Sequence, residues 1–385
     1  MSRLAFYRPF VPLFGGIFCC LLGVGASLAV LPFYVLGELG LGDVMVGVVV
    51  AAIAASAVLT RPVAGRIADR RGYKLVMLAG AVTCTLAGLA YLVAADPVTL
   101  IAVRVLHGAG EGMVYTAGAA WLVLLCPPER RGRVVGLYGI HMWAGITLGA
   151  LFGTLIMKWS GGYPMVWVFC AVASVLGMLL VLGKPRPEQP ASTARPAWLP
   201  GPALVPGVAL ALAALGYAAL SAFVVLHLDA RHIGNGIAAF NAFGVTYVGV
   251  RLFLGGLPDK LGANRVALWC VVVEAAGLLI VALAPNLAVA VAGGLVIGAG
   301  LSLLFPALAL IVINRSAAAQ QGAALGAFTS FWDIGLVAGG PLAGLIAGLW
   351  GYPAIYFVMA ACAAGSAALT LSVLGRRDQV ALSPT

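Results

Sequence analysis

The sequence predicts an all-α integral membrane protein with twelve transmembrane helices, arranged as two pseudo-symmetric six-helix bundles. Composition is the first reason: of 385 residues, 63% are hydrophobic and only 9% are charged. A soluble domain carries roughly 25% charged residues, so this chain has too little polar surface to be soluble. The second reason is a phrase that occurs twice, in which Arg, Gly, Asp, a basic residue and Gly at 61–72 recur with the same spacing at 251–262. An internal repeat of this kind indicates two homologous membrane halves and therefore a transporter.

Twelve apolar stretches are long enough to cross a bilayer, which takes about 20 mostly apolar residues per helix. They lie at 12–35, 44–64, 75–94, 98–125, 133–156, 164–183, 203–226, 236–257, 264–284, 286–313, 322–346 and 352–374. The third and fourth spans are separated at Asp96-Pro97, and the ninth and tenth at Pro285-Asn286, because these pairs favour turns.

The connections that follow even-numbered spans are basic. Their Lys and Arg residues are Arg66, Arg70, Arg71, Lys74, Arg130, Arg131, Arg133, Lys184, Arg186, Arg195, Lys260, Arg265 and Arg315. The positive-inside rule then places these loops and both termini in the cytoplasm, as expected for a multi-pass protein of a bacterial inner membrane. We expect residues 1–183 to form the first bundle, 184–202 a proline-rich cytoplasmic linker, and 203–385 the second bundle with a short cytoplasmic tail.

Several other classes of protein are disfavoured. The net charge of +10 would suit a nucleic-acid partner, but the basic residues lie in short loops between apolar spans. The seven cysteines have no CxxC spacing, so neither disulfides nor a metal site is predicted. Walker A, GxSxG, HExxH and Rossmann motifs are missing, which argues against an enzyme, a cofactor or an ATP-driven pump. The expected partners are a small-molecule substrate, protons and the lipid bilayer, and the expected state is a monomer.

Two motifs resemble the major facilitator superfamily. Residues 65–74, Gly-Arg-Ile-Ala-Asp-Arg-Arg-Gly-Tyr-Lys, are similar to its G-x-x-x-D-R-x-G-R/K-R/K signature, with Tyr73 where a basic residue is usual. Residues 100–110 resemble the L-x-x-x-R-x-x-Q-G-x-G pattern of its fourth helix, with His107 in place of Gln. With the twelve spans and the repeat, the resemblance covers nearly the whole chain and extends to bacterial proton-coupled efflux members. It implies the major facilitator fold.

A third motif is partial. Drug antiporters of this family carry G-x-x-x-G-P-x-x-G-G in the fifth helix. Here Gly145, Gly149 and Gly153 keep the glycine spacing, whereas Ala150 stands at the proline position.

The resemblance implies a gating role for the repeated phrase. The residues concerned are Gly65, Asp69, Arg70, Gly72, Lys74, Asp259 and Gly262. A carboxylate at position 69 can accept N–H bonds at a neighbouring helix N-terminus, and Arg70 and Lys74 can hold it by charge. The alternative is that these residues only anchor the loop at the lipid headgroups and turn the chain.

The fourth span carries a polar stripe, because Arg104, His107, Glu111 and Tyr115 fall on one helical face. Charges inside a membrane usually face a cavity and have partners. The spacing predicts that Arg104, His107 and Glu111 interact directly, with Glu111 binding and releasing protons. The alternative is a structural salt bridge that never titrates.

Three other polar residues lie deep in spans. In the eleventh, Asp333 is expected to carry a proton or meet a cationic substrate. In the fifth, His141 either lines the pathway or packs as a satisfied histidine. In the ninth, which is usually peripheral in the resembled fold, Glu274 is expected to form a structural hydrogen bond.

The combined prediction is a secondary active transporter that works by alternating access. Proton-coupled efflux, or antiport, of a small organic or amphiphilic compound is favoured by the polar stripe of the fourth span, the partial glycine motif of the fifth and the family resemblance. The spans that would line the pathway carry few polar residues, which favours an amphiphilic cargo. The alternatives are uptake of a metabolite such as a sugar or organic acid, by symport or facilitated transport, a transporter-like sensor or subunit, and lipid flipping.

Overall fold

The computed structural model describes residues 7–127, 131–184, 201–316 and 321–380, with the side chains of these except 131–133, 135, 321–323, 326 and 372–380. The described part contains helices and short turns and no strand. The predicted linker, 184–202, falls mainly on residues outside the described ranges, as does the loop basic residue Arg130.

Twelve long helices occupy the described ranges. They are α1 (Val11–Phe33), α2 (Asp43–Arg71), α3 (Tyr73–Ala90), α4 (Pro97–Leu125), α5 (Arg131–Ser160), α6 (Pro164–Leu182), α7 (Gly201–Ala230), α8 (Ile237–Leu254), α9 (Ala263–Leu283), α10 (Leu287–Arg315), α11 (Gln321–Trp350) and α12 (Tyr352–Val380). A π-helical turn, Tyr34–Glu38, continues α1, and a 3₁₀ turn, Tyr91–Val93, continues α3. Each predicted span coincides with one of these helices, so the predicted fold class is confirmed.

Eleven of the helices have the length and hydropathy of a membrane span. The long helix outside that group is α4, whose Arg104, His107 and Glu111 lower its hydropathy.

The chain divides into two compact units, Met1–Gly42 with Val48–Thr193 and Asp43–Gly47 with Ala194–Thr385. Within the first unit α1 packs on α5 and α6, and α3 packs on α4 and α6. Within the second unit α7 packs on α11 and α12, and α9 packs on α10 and α12. The sequence repeat is therefore also a repeat of helix packing.

The last glycine of the repeated phrase ends a helix in each unit. Gly72 has a φ of 111° and Gly262 a φ of 91°, values that a side chain with a Cβ rarely adopts. The two copies differ just before this glycine. In the first, α2 continues through Asp69, whereas in the second α8 stops at Leu254 and is followed by a five-residue helix, Leu257–Leu261. The shared turn explains why glycine recurs at this position.

The three glycines of the fifth span bring α5 against α1. A Cβ added to Gly145 would lie 2.6 Å from the carbonyl oxygen of Phe18, and one added to Gly153 would lie 2.6 Å from that of Ala26. Between them, Gly149 packs in the same way on the Leu22 carbonyl. Small residues allow such close approach of membrane helices, so these glycines serve helix packing in this unit.

Candidate functional site

Buried polar side chains of the first unit lie on one face of α4. Arg104 and His107 are both 0% exposed, and Glu111, halfway along the helix, is 9% exposed. Tyr115 follows one turn later and is partly buried. An apolar environment makes each uncompensated charge expensive, so the partners of these groups determine what they can do.

The start of α4 is fixed by Asp96, whose carboxylate accepts hydrogen bonds from the backbone N–H groups of Val98 and Thr99 at 2.9 and 3.1 Å. The hydroxyl of Thr99 donates to the same carboxylate. These hydrogen bonds, led by that of the Thr99 hydroxyl, lower the pKa of Asp96 below its ordinary value of 3.8. At the equivalent position of the second unit, the side chain of Asn286 caps α10 through the Val289 N–H at 3.0 Å.

Arg104 is held by neutral partners. Its Nε donates to the carbonyl of Val49 at 2.9 Å and its Nη2 to that of Val50 at 3.3 Å. Its Nη1 donates to the hydroxyls of Ser27 and Tyr91, each at 3.3 Å. The guanidinium therefore joins α4 to α1, to α2 and to the turn after α3.

His107 is connected to Arg104 through Tyr91. Its Nδ1 lies 3.3 Å from the Tyr91 hydroxyl, which also accepts from Arg104. The ring of Tyr91 stacks on Trp167 with centroids 4.6 Å apart. His107 Nε2 has no hydrogen-bond partner among the described residues.

Glu111 pairs with a residue of a neighbouring helix. Its Oε1 lies 3.5 Å from Nη2 of Arg61 in α2, and the two side chains are 12% and 21% exposed. The same guanidinium lies over the ring of Tyr115, with Cζ 4.9 Å from the ring centroid. Arg61, Glu111 and Tyr115 thus form one contiguous cluster between α2 and α4.

The expectation that Arg104, His107 and Glu111 interact directly is therefore wrong for Glu111. Spacing along one helix identifies residues on the same face, but it does not identify a partner 50 positions away on another helix. Sequence reasoning missed Arg61 as a site residue. The sequence did contain a signal: Arg61 is the first residue of the repeated phrase, and it lies inside the predicted second span, 44–64.

His141 lies apart from this cluster. Its ring stacks on Phe14 with centroids 4.7 Å apart, and its Nδ1 donates to the carbonyl of Leu137 at 2.8 Å. These contacts are those of a histidine that packs α5 against α1.

In the second unit the polar residues are distributed differently. Asp333 in α11 is 4% exposed. The guanidinium of Arg251, which repeats Arg61, lies 5.3 Å from the centroid of the Tyr247 ring. Glu274 in α9 is 0% exposed, and neither of its carboxyl oxygens has a hydrogen-bond partner among the described residues. The expected structural hydrogen bond of Glu274 is therefore wrong.

The residues of the predicted gating phrase make local contacts. Asp69 accepts a hydrogen bond from the hydroxyl of Tyr73 at 3.1 Å, so the residue that departs from the family signature is its partner. Lys74 donates to the carbonyls of Leu182, at 2.6 Å, and Lys184. This lysine thus caps the end of α6, where a cation meets the negative end of the helix dipole.

The other residues of the phrase are loosely packed or exposed. A Cβ added to Gly65 would have ordinary contact with Thr116, at 3.8 Å. Arg70 and Asp259 are exposed. Within the described residues, Asp69 forms no ion pair with Arg70 or Lys74.

Comparison with known proteins gives consistent results. A sequence model described as the Major Facilitator Superfamily matches residues 13–237 and 207–384. The uncharacterized MFS-type transporter YhhS of Escherichia coli (strain K12) is 34% identical over 366 residues, which cover 92% of this chain and 89% of that protein. The uncharacterized MFS-type transporter STM4428 of Salmonella typhimurium (strain LT2) is 32% identical over 363 residues, covering 90% and 92%.

Solved structures share the fold. The nucleoside transporter NupG superposes with a TM-score of 0.74 at 14% identity, covering 95% of this chain and 98% of that one. The human organic anion transporter MFSD10 gives 0.73 at 16% identity, covering 95% and 99%. With helices, repeat and relatives in agreement, this chain belongs to the major facilitator superfamily of membrane transporters.

Proposed function

We propose that this chain exports a small organic or amphiphilic compound in exchange for protons, by alternating access of its two halves. The observation that supports this most is the pair of Glu111 and Arg61. A carboxylate halfway along an intramembrane helix has one ion-pair partner among the described residues, and the pair is long, at 3.5 Å.

Binding of a proton would change the charge of this ion pair. With both groups charged, the net charge of the pair is zero, which limits the cost of placing it in an apolar environment. A proton that binds Glu111 neutralises the carboxylate and ends its ion pair with Arg61. Proton binding at Glu111 can therefore compete or cooperate with substrate binding, and such linkage between two ligands is the requirement for coupling.

The remaining parts of the proposal follow from the sequence. The basic loops favour a cytoplasmic position for both termini in a bacterial inner membrane. The repeated phrase, with Asp69 and Lys74 in the first copy and Asp259 in the second, regulates access from that side. The protein acts as a monomer with 184–202 as its linker.

The test is compound-driven proton movement in everted membrane vesicles that contain the protein. Respiration acidifies the vesicle interior, acridine orange reports the gradient, and a panel of cationic, neutral and anionic amphiphiles is added in turn. We expect at least one compound to discharge the gradient, because each compound molecule taken up drives a proton out. Vesicles carrying Glu111→Gln should show no such discharge, because the amide cannot exchange a proton.

The matched control is Glu38→Gln, the same chemical change at an exposed carboxylate of the first unit, which should behave as the wild type. The proposal is contradicted if the protein moves a compound at a rate that is independent of the proton gradient and unchanged in Glu111→Gln. Accumulation of a sugar or organic acid in right-side-out vesicles, driven by an inward proton gradient, would instead support uptake.

A further inference from the structure

Among the described residues, Glu274 is an ionisable side chain that is buried without the hydrogen bonds of a structural residue. It lies within α9, it is 0% exposed, and neither Oε1 nor Oε2 has a hydrogen-bond partner in the described part of the chain. An ionised carboxylate without a partner in such surroundings is strongly disfavoured, so the group is neutral and carries a proton.

The groups packed around the Glu274 carboxyl do not stabilise its charged form. Toward α7, the carboxyl lies on Gly216, where an added Cβ would come within 2.6 Å of Oε1. Toward α10, the backbone of Glu274 lies on Gly300, where an added Cβ would come within 2.6 Å of the Glu274 nitrogen. The titratable side chains within electrostatic reach are the thiols of Cys270 in α9 and Cys362 in α12. In the described residues these surroundings supply no cation.

The internal repeat provides a comparison within the same molecule. Cys84 in α3 occupies the position that Glu274 occupies in α9, 190 residues later. Gly110 packs on Cys84 as Gly300 packs on Glu274: an added Cβ would lie 2.8 Å from the Cys84 nitrogen. The packing of helices is therefore satisfied by a small neutral side chain, and the acid of the second unit is an addition that the fold does not require.

We propose that Glu274 is a proton-binding site of the second unit, protonated in the conformation of this structure and deprotonated in a conformation of the transport cycle in which water reaches its carboxyl. The O–H bond then breaks, the proton passes to water, and the electron pair stays on the carboxylate. This inference rests on the proposed function, to which it adds a second proton site.

The test is infrared difference spectroscopy of the purified protein in lipid, recorded while the pH is raised from about 5 to about 10, a range that lies above the ordinary pKa of a glutamate carboxyl, about 4.3. We expect a carbonyl stretch of a protonated carboxyl that is present at neutral pH, disappears as the pH rises, and is lost specifically in Glu274→Gln. Gly216→Ala should shift this band because the new methyl group crowds Oε1. The control Gly249→Ala, where an added Cβ meets nothing within 4 Å, should leave the band in place.

The inference is overturned if no protonated carboxyl band depends on residue 274, or if the band is unaffected by pH, as for a permanently neutral acid. Should Glu274→Gln fail to fold, Glu274→Asp serves the same purpose, because a changed band frequency assigns the wild-type signal. The two proposals fail separately. A titrating band with no gradient-driven export refutes the proposed function alone, and gradient-driven export with no such band refutes only the role of Glu274.

Discussion

At the scale of single residues, Arg104 binds neutral groups from three separate segments of the first unit. Its partners are the carbonyls of Val49 and Val50 and the hydroxyls of Ser27 and Tyr91. A guanidinium directs its donors in a fixed planar fork, which an ammonium does not reproduce. Arg104 therefore holds α4 in position, and our proposal assigns the coupling role to Glu111 instead.

The first prediction concerns Arg104→Lys. Loss of two or more hydrogen bonds from a charged donor should lower the free energy of unfolding by about 3 kcal/mol. Thermal unfolding in detergent measures this, with Arg66→Lys, a change at an exposed arginine of α2, as the neutral control. Equal stability of Arg104→Lys and the wild type would show that the guanidinium geometry is dispensable.

The second prediction concerns the Arg61–Glu111 pair. Because the two side chains are close but 21% and 12% exposed, a double-mutant cycle with Arg61→Gln and Glu111→Gln should give a coupling energy of about 1 kcal/mol. Unfolding of the four proteins in detergent supplies the values. Strictly additive effects would mean that the pair does not form in the membrane protein.

The third prediction concerns pH and the cap of α4. The folded-state pKa of Asp96 lies below its ordinary 3.8, so its contribution to stability is present above that value and is lost as the pH falls through the lowered pKa. Asp96→Asn should match the wild type near neutral pH, since Asn286 caps α10 in the same way, and should lose less stability in acid. Conversely, Asn286→Asp should gain acid sensitivity. Unfolding midpoints measured across the acidic range would contradict this if the wild type, Asp96→Asn and Asn286→Asp changed in parallel.

The site was only partly predictable at this scale. Helical spacing correctly places Arg104, His107, Glu111 and Tyr115 on one face, because that depends on α4 alone. It does not identify Arg61, since the contact depends on how α2 packs on α4. The lack of a hydrogen-bond partner for Glu274 among the described residues was likewise not predictable, because it depends on how α7, α10 and α12 pack around the residue.

At the scale of helices, close approach of backbones determines where glycine is required. The carbonyl oxygens of Phe18, Leu22 and Ala26 lie along one side of α1 and meet Gly145, Gly149 and Gly153 of α5 in turn. The glycine spacing of the antiporter motif thus has a packing explanation in this chain, and Ala150 at the proline position leaves it intact.

The fourth prediction follows from this contact. Gly149→Ala should lower the free energy of unfolding by about 1–3 kcal/mol, because the methyl group forces α5 away from the Leu22 carbonyl. Gly136→Ala in the same helix, where an added Cβ meets nothing within 4 Å, should be neutral or stabilising by up to about 1 kcal/mol. Folded yield and unfolding midpoint report both changes, and a Gly149→Ala protein as stable as Gly136→Ala would show that α1 and α5 are further apart.

Helix existence was predicted well and helix length less so. Each apolar span became one helix because membrane burial demands about 20 apolar residues with all backbone groups bonded internally. The predicted second span ended at residue 64, however, whereas α2 runs to Arg71. Hydropathy records where a helix leaves the apolar layer, whereas the positive φ of Gly72 determines where this helix ends.

At the scale of the whole molecule, the repeat gives each unit the same helix packing, and the departures from it are local. Both units retain the turn at Gly72 and Gly262 and the capped start of α4 and α10. Among the described residues they differ in their buried acids, bases and histidines: the first has Arg104, His107 and Glu111, and the second has His227, Glu274 and Asp333. The proposed proton sites, Glu111 and Glu274, both stand at positions where the other unit has a different residue, Leu301 and Cys84.

The central claim, that Glu111 couples proton movement to export, is tested most directly with purified protein in liposomes, using the compound identified in the vesicle assay. Two rates are compared for wild type and Glu111→Gln: exchange of labelled for unlabelled compound at equal pH, and uphill movement of the compound driven by an imposed pH gradient. We predict that Glu111→Gln retains exchange and loses gradient-driven accumulation. Retention of gradient-driven accumulation by Glu111→Gln would contradict the claim.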